Sequence, residues 1–354
     1  MAAHRSIPKH LGLTVLALVA VVVGAAFWGA ADRPEEPLRK PDHGHLADVP
    51  EAIPAKGLRD VFWRVLHEVS EDRVTLIAGG VTFYLLLALF PALAALVSLY
   101  GLVADPVTIS ENLGKLAGML PPGAFDMFAD QIKSLAEKRD SSLGLTFFFG
   151  LAVALWSTHN GTLAIFDAMN IAYEEKEKRG IIKLNVVAFC FTICGMLAAI
   201  VMIGLVALLP TVLSYIWLDQ FKENALLLLR WPIVLVVVAA TVLAIYRVGP
   251  SREPPKLRWM TWGALLTIIG LTAMSLGLSY YLSHFANYNA TYGTLGALIG
   301  FLVWTWLSVT VLIVGGELNA ELEHQTAKDS TTGSPKPLGQ RGAYVADNVA
   351  SSGG

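Results

Sequence analysis

Seven stretches of this chain are long and apolar: Leu11 to Ala31, Leu76 to Ala104, Leu143 to Leu163, Leu184 to Leu209, Ala225 to Tyr246, Met260 to Leu282 and Leu295 to Gly316. A helix rising about 1.5 Å per residue needs roughly 20 such residues to cross a hydrocarbon core of about 30 Å. A membrane β-barrel instead alternates apolar and polar residues over about ten positions, and these runs do not alternate. The sequence therefore predicts an all-α, polytopic membrane helical bundle: six core transmembrane helices plus one N-terminal anchor helix. Composition agrees, since only 15% of the 354 residues are charged against roughly 25% in soluble domains. A net charge of −2 excludes a chain-wide basic surface for nucleic acid. Two cysteines exclude a disulfide-stapled scaffold.

The first run has two readings. Arg5 and Lys9 precede it and Gly29-Ala30-Ala31 follows it, as in a signal peptide with its cleavage site. The run is long for that, and cleavage would place Arg33, Arg39, Lys40, Lys56, Arg59, Arg64 and Arg73 outside the cell. The expectation is a retained anchor over 1–32. Basic loops alternate with loops poor in Lys and Arg: 210–224 carries only Lys222, and 283–294 carries neither. Positive charge stays inside. The expected location is thus a bacterial inner (plasma) membrane, multi-pass, with the C-terminus cytoplasmic.

Residues 33–55 hold five prolines among charges and read as a cytoplasmic linker. Over 56–75, Leu58, Val61, Phe62, Val65, Leu66 and Val69 recur at helical spacing opposite Arg59, Asp60, Arg64, Glu68 and Glu71. That is an amphipathic helix, lying on the membrane surface or packing on the bundle. The outer segment 105–142 carries two apolar helical stripes separated by Pro121-Pro122-Gly123. The tail 325–354, rich in Gly, Ser, Thr and Pro, is expected to be disordered.

Several strings carry a resemblance. Ala78-Gly79-Gly80-Val81-Thr82-Phe83-Tyr84 is followed by Leu89-Phe90-Pro91 and Tyr100-Gly101-Leu102. Trp156-Ser157 leads to Asp167-Ala168-Met169-Asn170-Ile171-Ala172-Tyr173-Glu174. Then come Tyr288-Asn289-Ala290-Thr291-Tyr292-Gly293-Thr294-Leu295-Gly296 and Gly315-Gly316-Glu317-Leu318-Asn319-Ala320-Glu321. In this order they resemble the YihY/BrkB family of membrane proteins over residues 56–324. The resemblance implies a six-helix inner-membrane domain without a settled biochemical activity. Some members are named for virulence and serum resistance, and the family long carried a tRNA-processing ribonuclease label regarded as mistaken. The N-terminal span is an addition to that pattern.

Polar groups inside apolar spans are costly and raise the question of function. Thr82, Tyr84, His159, Asn160, Asp167, Asn170, Glu317 and Asn319 all fall near the inward ends of spans, with Glu321 beyond. They either line a cytoplasm-facing polar vestibule or bond helices to one another. Asp167 and Glu317 are the candidates for a coupling carboxylate. Tyr288, Asn289, Tyr292 and Gly293 form a candidate outer turn, because Asn and Gly tolerate positive φ and aromatics suit the interface. Pro91 predicts a kink. Gly296 and Gly300 predict a close helix crossing.

Cys190 and Cys194 lack partner ligands, and the His43/His45 pair stands alone in the linker, so no metal site and no cofactor is expected. No P-loop, nucleophile elbow or dinucleotide fingerprint is present in the sequence. The expected function is non-enzymatic: transport or export of an unidentified small solute or envelope component. The alternative is a structural or interaction protein for envelope assembly or serum resistance. The bilayer is the expected partner; nucleic acid is not.

Overall fold

The computed structural model describes residues 43–103, 142–203, 205, 220–284 and 295–350. The anchor, the outer segment 105–142 up to its last residue, and the turn at Tyr288, Asn289, Tyr292 and Gly293 lie outside the described residues. The elements are helical: α1 (Ala55–Glu71), α2 (Val74–Val103), α3 (Ser142–Ala172), α4 (Ile181–Ile203), α5 (Gln220–Val248), α6 (Leu257–His284), α7 (Leu295–His324) and a short α8 (Tyr344–Asp347). A 3-10 turn, Pro50–Ala52, precedes α1. Among the described residues no strand forms, and one isolated bridge pairs Pro255 with Thr331.

Among the described residues, four helices are each long and apolar enough to cross a membrane, and α1 with the start of α2 makes a fifth candidate if that bent pair is one span. Their outward faces are apolar: Phe149, Trp156, Ile181, Leu197, Val236 and Leu276 are all exposed. A water-soluble monomer does not present such a surface. The helices pair α2 with α3, α6 with α7, and α7 with both α2 and α1. Their shared core includes Val74, Ala78, Val81, Met169, Tyr173, Tyr246, Met260, Ala264 and Ile313.

One bend and one close crossing shape the bundle. α2 runs on through Pro91 to Val103. The sharp bend described is 58° between α1 and α2. It is made at Arg73, whose φ of 51° is left-handed and ends α1 as a C-terminal cap does. A close crossing lies between α6 and α7, at Gly263 and Gly315. A Cβ on Gly263 would sit 2.0 Å from the Gly315 carbonyl oxygen. A Cβ on Gly315 would sit 2.1 Å from Thr267 Oγ1.

α1 divides its apolar residues between two surfaces. Val61 and Val65 pack with Ala47, Ile53, Trp259 and Leu322, whereas Leu58, Phe62 and Leu66 stay exposed on the adjacent ridge.

The tail corrects an expectation. Residues 325–350 take a defined course against the bundle end, with Gln325, Thr326, Ser330, Thr331 and Arg341 buried and 337–340 exposed, where disorder was expected. Side-chain and backbone bonds replace the missing apolar content. Arg341 donates to the carbonyls of Ala346 (2.6 Å), Ala327 (2.7 Å) and Lys328 (3.1 Å). Asp347 accepts the backbone N–H groups of Gly339, Arg341 and Gly342. Part of the expected linker is braided into this lobe: Gln325 donates to the His43 carbonyl (2.6 Å), and Thr326 to that of Ala47 (2.6 Å).

Candidate functional site

The C-terminal ends of α3 and α7, the α1–α2 bend, the α5–α6 loop and the tail all meet at one end of the bundle. Tyr344 donates its N–H to Glu175 (2.7 Å), and Ser251 accepts from the Lys178 N–H (2.9 Å). Two groups of ionisable residues form there.

The first group is closed and satisfied. Arg252 meets Glu323 at 2.6 Å with both side chains wholly buried, and Ser330 donates to the same carboxylate (2.6 Å). Burial works against the charge on Arg252, but Glu323 beside it raises its pKa above the ordinary value. Arg179 clasps Glu177 at 2.7 Å and caps the carbonyls of Val248 and Gly249. That guanidinium holds Glu177 down at about 2.

The second group is acidic. Glu317 and Glu321 lie one helical turn apart on α7 and so share a face. Glu317 is 2% exposed and Glu321 3%. Glu68 and Asp72, at the end of α1, and Glu321 are the charges that face Glu317. Glu174 arrives from the end of α3. Its N–H bonds Ile171 and that of Glu175 bonds Asn170, the two bonds of a Schellman cap. The cap position takes a left-handed φ of 52°, which favours glycine. Burial pushes the Glu174 carboxyl up from its ordinary value; His324 opposes this, and Glu321 and Asp72 add to it. Arg64 bonds the Glu321 carboxylate and also Gln325 (2.7 Å). Glu317 Oε1 and His324 Nδ1 are buried and meet no N–H or hydroxyl group, while the Glu317 carboxyl lies within hydrogen-bonding reach of that of Asp72. His324 Nδ1 stands 3.8 Å from Glu321 Oε1, too far for a hydrogen bond.

The polar residues singled out in the sequence separate into three sets. Glu317 and Asn319 are buried at this end, and Asn319 accepts the Gly263 N–H (2.8 Å) across the glycine crossing. Asn170 is also buried; it accepts from the Ser251 N–H (2.7 Å) and donates to Glu177 (3.0 Å). Thr82 is buried and donates to the Ala78 carbonyl (2.7 Å) within its own helix, and His159 meets Asn185 (3.0 Å) between α3 and α4. Asn160 is half-buried, while Tyr84 and Asp167 are exposed. The structure therefore does not bring Asp167 to Glu317. Glu317 is joined instead by Glu68 and Asp72, and its neighbour Glu321 by Glu174 and His324. Of these, Glu68 reads in the sequence only as part of a polar helix face, and His324 carries no signal. Their convergence depends on the 58° bend and the α3 cap, which no local pattern announces.

Long apolar helices with outward apolar faces define a polytopic helical membrane protein. The model of the family described as virulence factor BrkB matches residues 65–338, and the chain belongs to that family. It is similar to "Putative ribonuclease-like protein YfkH" of Bacillus subtilis, 31% identical across 75% of this chain and 94% of that one. It is also similar to UPF0761 membrane proteins of Haemophilus influenzae (25% identical, 77% of this chain, 97% of the relative) and Nitrosospira multiformis (26% identical, 74% of this chain). It spans 61% of the length of the Nitrosospira protein. No solved structure matches.

Proposed function

We propose that the protein moves a solute or envelope component across a bacterial inner membrane, with the acidic end of the bundle as its working site. One observation carries this reading: Glu317, inside a span-length helix, is buried with an oxygen that no donor reaches. Ionisable groups at such positions are rare and costly unless they handle a substrate, an ion or a proton. The loops and helix ends here hold Lys176, Lys178, Arg179, Arg247, Arg252, Lys256 and Arg258. That supports a cytoplasmic face, with the C-terminus inside.

The role is non-enzymatic. The sequence holds no P-loop, nucleophile elbow or dinucleotide fingerprint. Purified protein is expected to leave precursor tRNA intact, with or without Mn²⁺. Cleavage that copurifies with it and disappears in Glu321→Gln would overturn this.

A scaffold role is the second reading. It is favoured by Asn170, whose bonds tie α3 to both neighbouring loops. Glu317→Gln separates the two. Transport predicts normal thermal stability in detergent and failure to restore envelope-stress survival to a strain lacking the gene. Full rescue would sink the transport reading, and joint loss of stability and survival would favour the scaffold.

A further inference from the structure

We propose that Glu174, Glu321 and His324 form a binding site for a first-row divalent transition-metal ion, with Glu317 behind them as a further carboxylate. The three residues come from the α3 cap and the last turn of α7. One ligand atom from each lies within 4.8 Å of the others. Ligand atoms about 2.1 Å from one metal lie up to about 4 Å apart, so small side-chain rotations close the set.

Crowded carboxylates alone would not carry this. The independent observation is Glu317, 2% exposed and with Oε1 unpartnered. It faces Glu68, Asp72 and Glu321, all of its own sign. A carboxyl buried among like charges must either share a proton with a neighbour, here Asp72, or meet a cation. The nearby guanidinium does not serve that need. Arg64 is held by the Glu321 carboxylate and by Gln325, and it leaves Glu321 Oε1 turned toward His324. Arg252 at this end is committed to Glu323, and Arg341 to the carbonyls of Ala346 and Ala327. His324 Nδ1 is buried and accepts nothing, so its lone pair is open to a metal.

The donor set names the ion class. Ca²⁺ and Mg²⁺ favour all-oxygen shells. An imidazole with carboxylates suits Mn²⁺, Fe²⁺ or Zn²⁺. The site shares its pocket with the transport reading but does not need transport, because binding is read on the purified protein.

The test is equilibrium binding of Mn²⁺ and Zn²⁺ to the full chain in detergent after stripping with chelator. About one equivalent is expected per chain, with a rise in melting temperature. Even outer-shell changes cost metal sites about 10–100-fold, so Glu174→Gln and His324→Gln should each lower affinity about tenfold or more. Pulsed electron paramagnetic resonance of the Mn²⁺ form should show nitrogen coupling that His324→Gln abolishes. Glu71→Gln, an exposed acid nearby, should bind as the parent does. The proposal is overturned if the parent binds neither ion, if both ligand variants bind normally, or if Glu71→Gln is equally impaired. Normal metal binding by a Glu317→Gln protein that fails in the survival assay would leave the site standing and separate it from transport.

Discussion

Arg252 and Glu323 close on each other at 2.6 Å with neither side chain reaching solvent. They join the α5–α6 loop to the last turn of α7, and the guanidinium also lies over the Tyr173 ring at 5.1 Å. Removing one partner leaves the other charged and buried, which costs about 3–5 kcal/mol. Arg252→Met and Glu323→Gln are each expected to lower the melting temperature steeply in detergent. The double variant should recover much of the loss, as buried pairs replaced together do. Strict additivity of the two losses would show that the pair is not coupled.

Glu174 occupies a left-handed cap in a residue type that pays about 1–3 kcal/mol for it. Glu174→Gly is expected to raise thermal stability by about 1 kcal/mol while weakening Mn²⁺ binding. Opposite movement of the two measurements is the signature of backbone strain retained for a ligand side chain. A variant less stable than the parent would show that the carboxylate, not the backbone, dominates at this position.

The pH dependence follows from Glu177. Its pKa falls from 4.5 to about 2 in the folded protein, so folding favours the ionised form. The stability it contributes is fully present above 4.5 and is lost as pH falls toward 2. The difference in melting temperature between the parent and Glu177→Gln should therefore be constant from pH 7 to 5 and shrink between pH 4.5 and 2. A gap that widens on acidification would reverse the sign and refute the clasp by Arg179.

At the α6–α7 crossing, Gly263→Ala must push its methyl against the Gly315 carbonyl. Overpacking of this kind costs about 1–3 kcal/mol. Gly277 lies on the same helix with nothing within 4 Å of its would-be Cβ. Gly277→Ala is expected to be neutral or to stabilise by up to about 1 kcal/mol. Differential scanning fluorimetry of the two variants decides the matter. Equal melting temperatures would mean that the helices can separate at no cost.

What the sequence reveals depends on how local the cause is. The helices follow from uninterrupted apolar runs, and α1 from Val61, Val65 and Val69 recurring at helical spacing. Glu317, Asn319 and Glu321 stand out because polar residues closing an apolar run are conspicuous. Asp167 stands out for the same reason, yet it is exposed, since an apolar run does not reveal which face of its helix is covered. The order of the tail is invisible for another reason. It rests on Arg341 gathering backbone carbonyls and on Asp347 gathering backbone N–H groups. A polar, proline-containing stretch looks the same whether or not such bonds form. The Gly263–Gly315 contact is likewise a meeting of two helices, whereas a Gly-x-x-x-Gly pattern at Gly296 and Gly300 is read along one.

The braid of Gln325 and Thr326 with His43 and Ala47 joins positions 282 and 279 residues apart. A ribosome therefore makes one strand of the braid long before the other exists. While α2 through α6 are being inserted, the stretch ahead of α1 lacks Gln325 and Thr326, and Ile53, Val61 and Val65 lack Leu322 to close over them. The final turn of α7 thus acts as the last piece placed. A chain stalled or clipped before that turn leaves α1 without part of its cover, and so marks itself as unfinished.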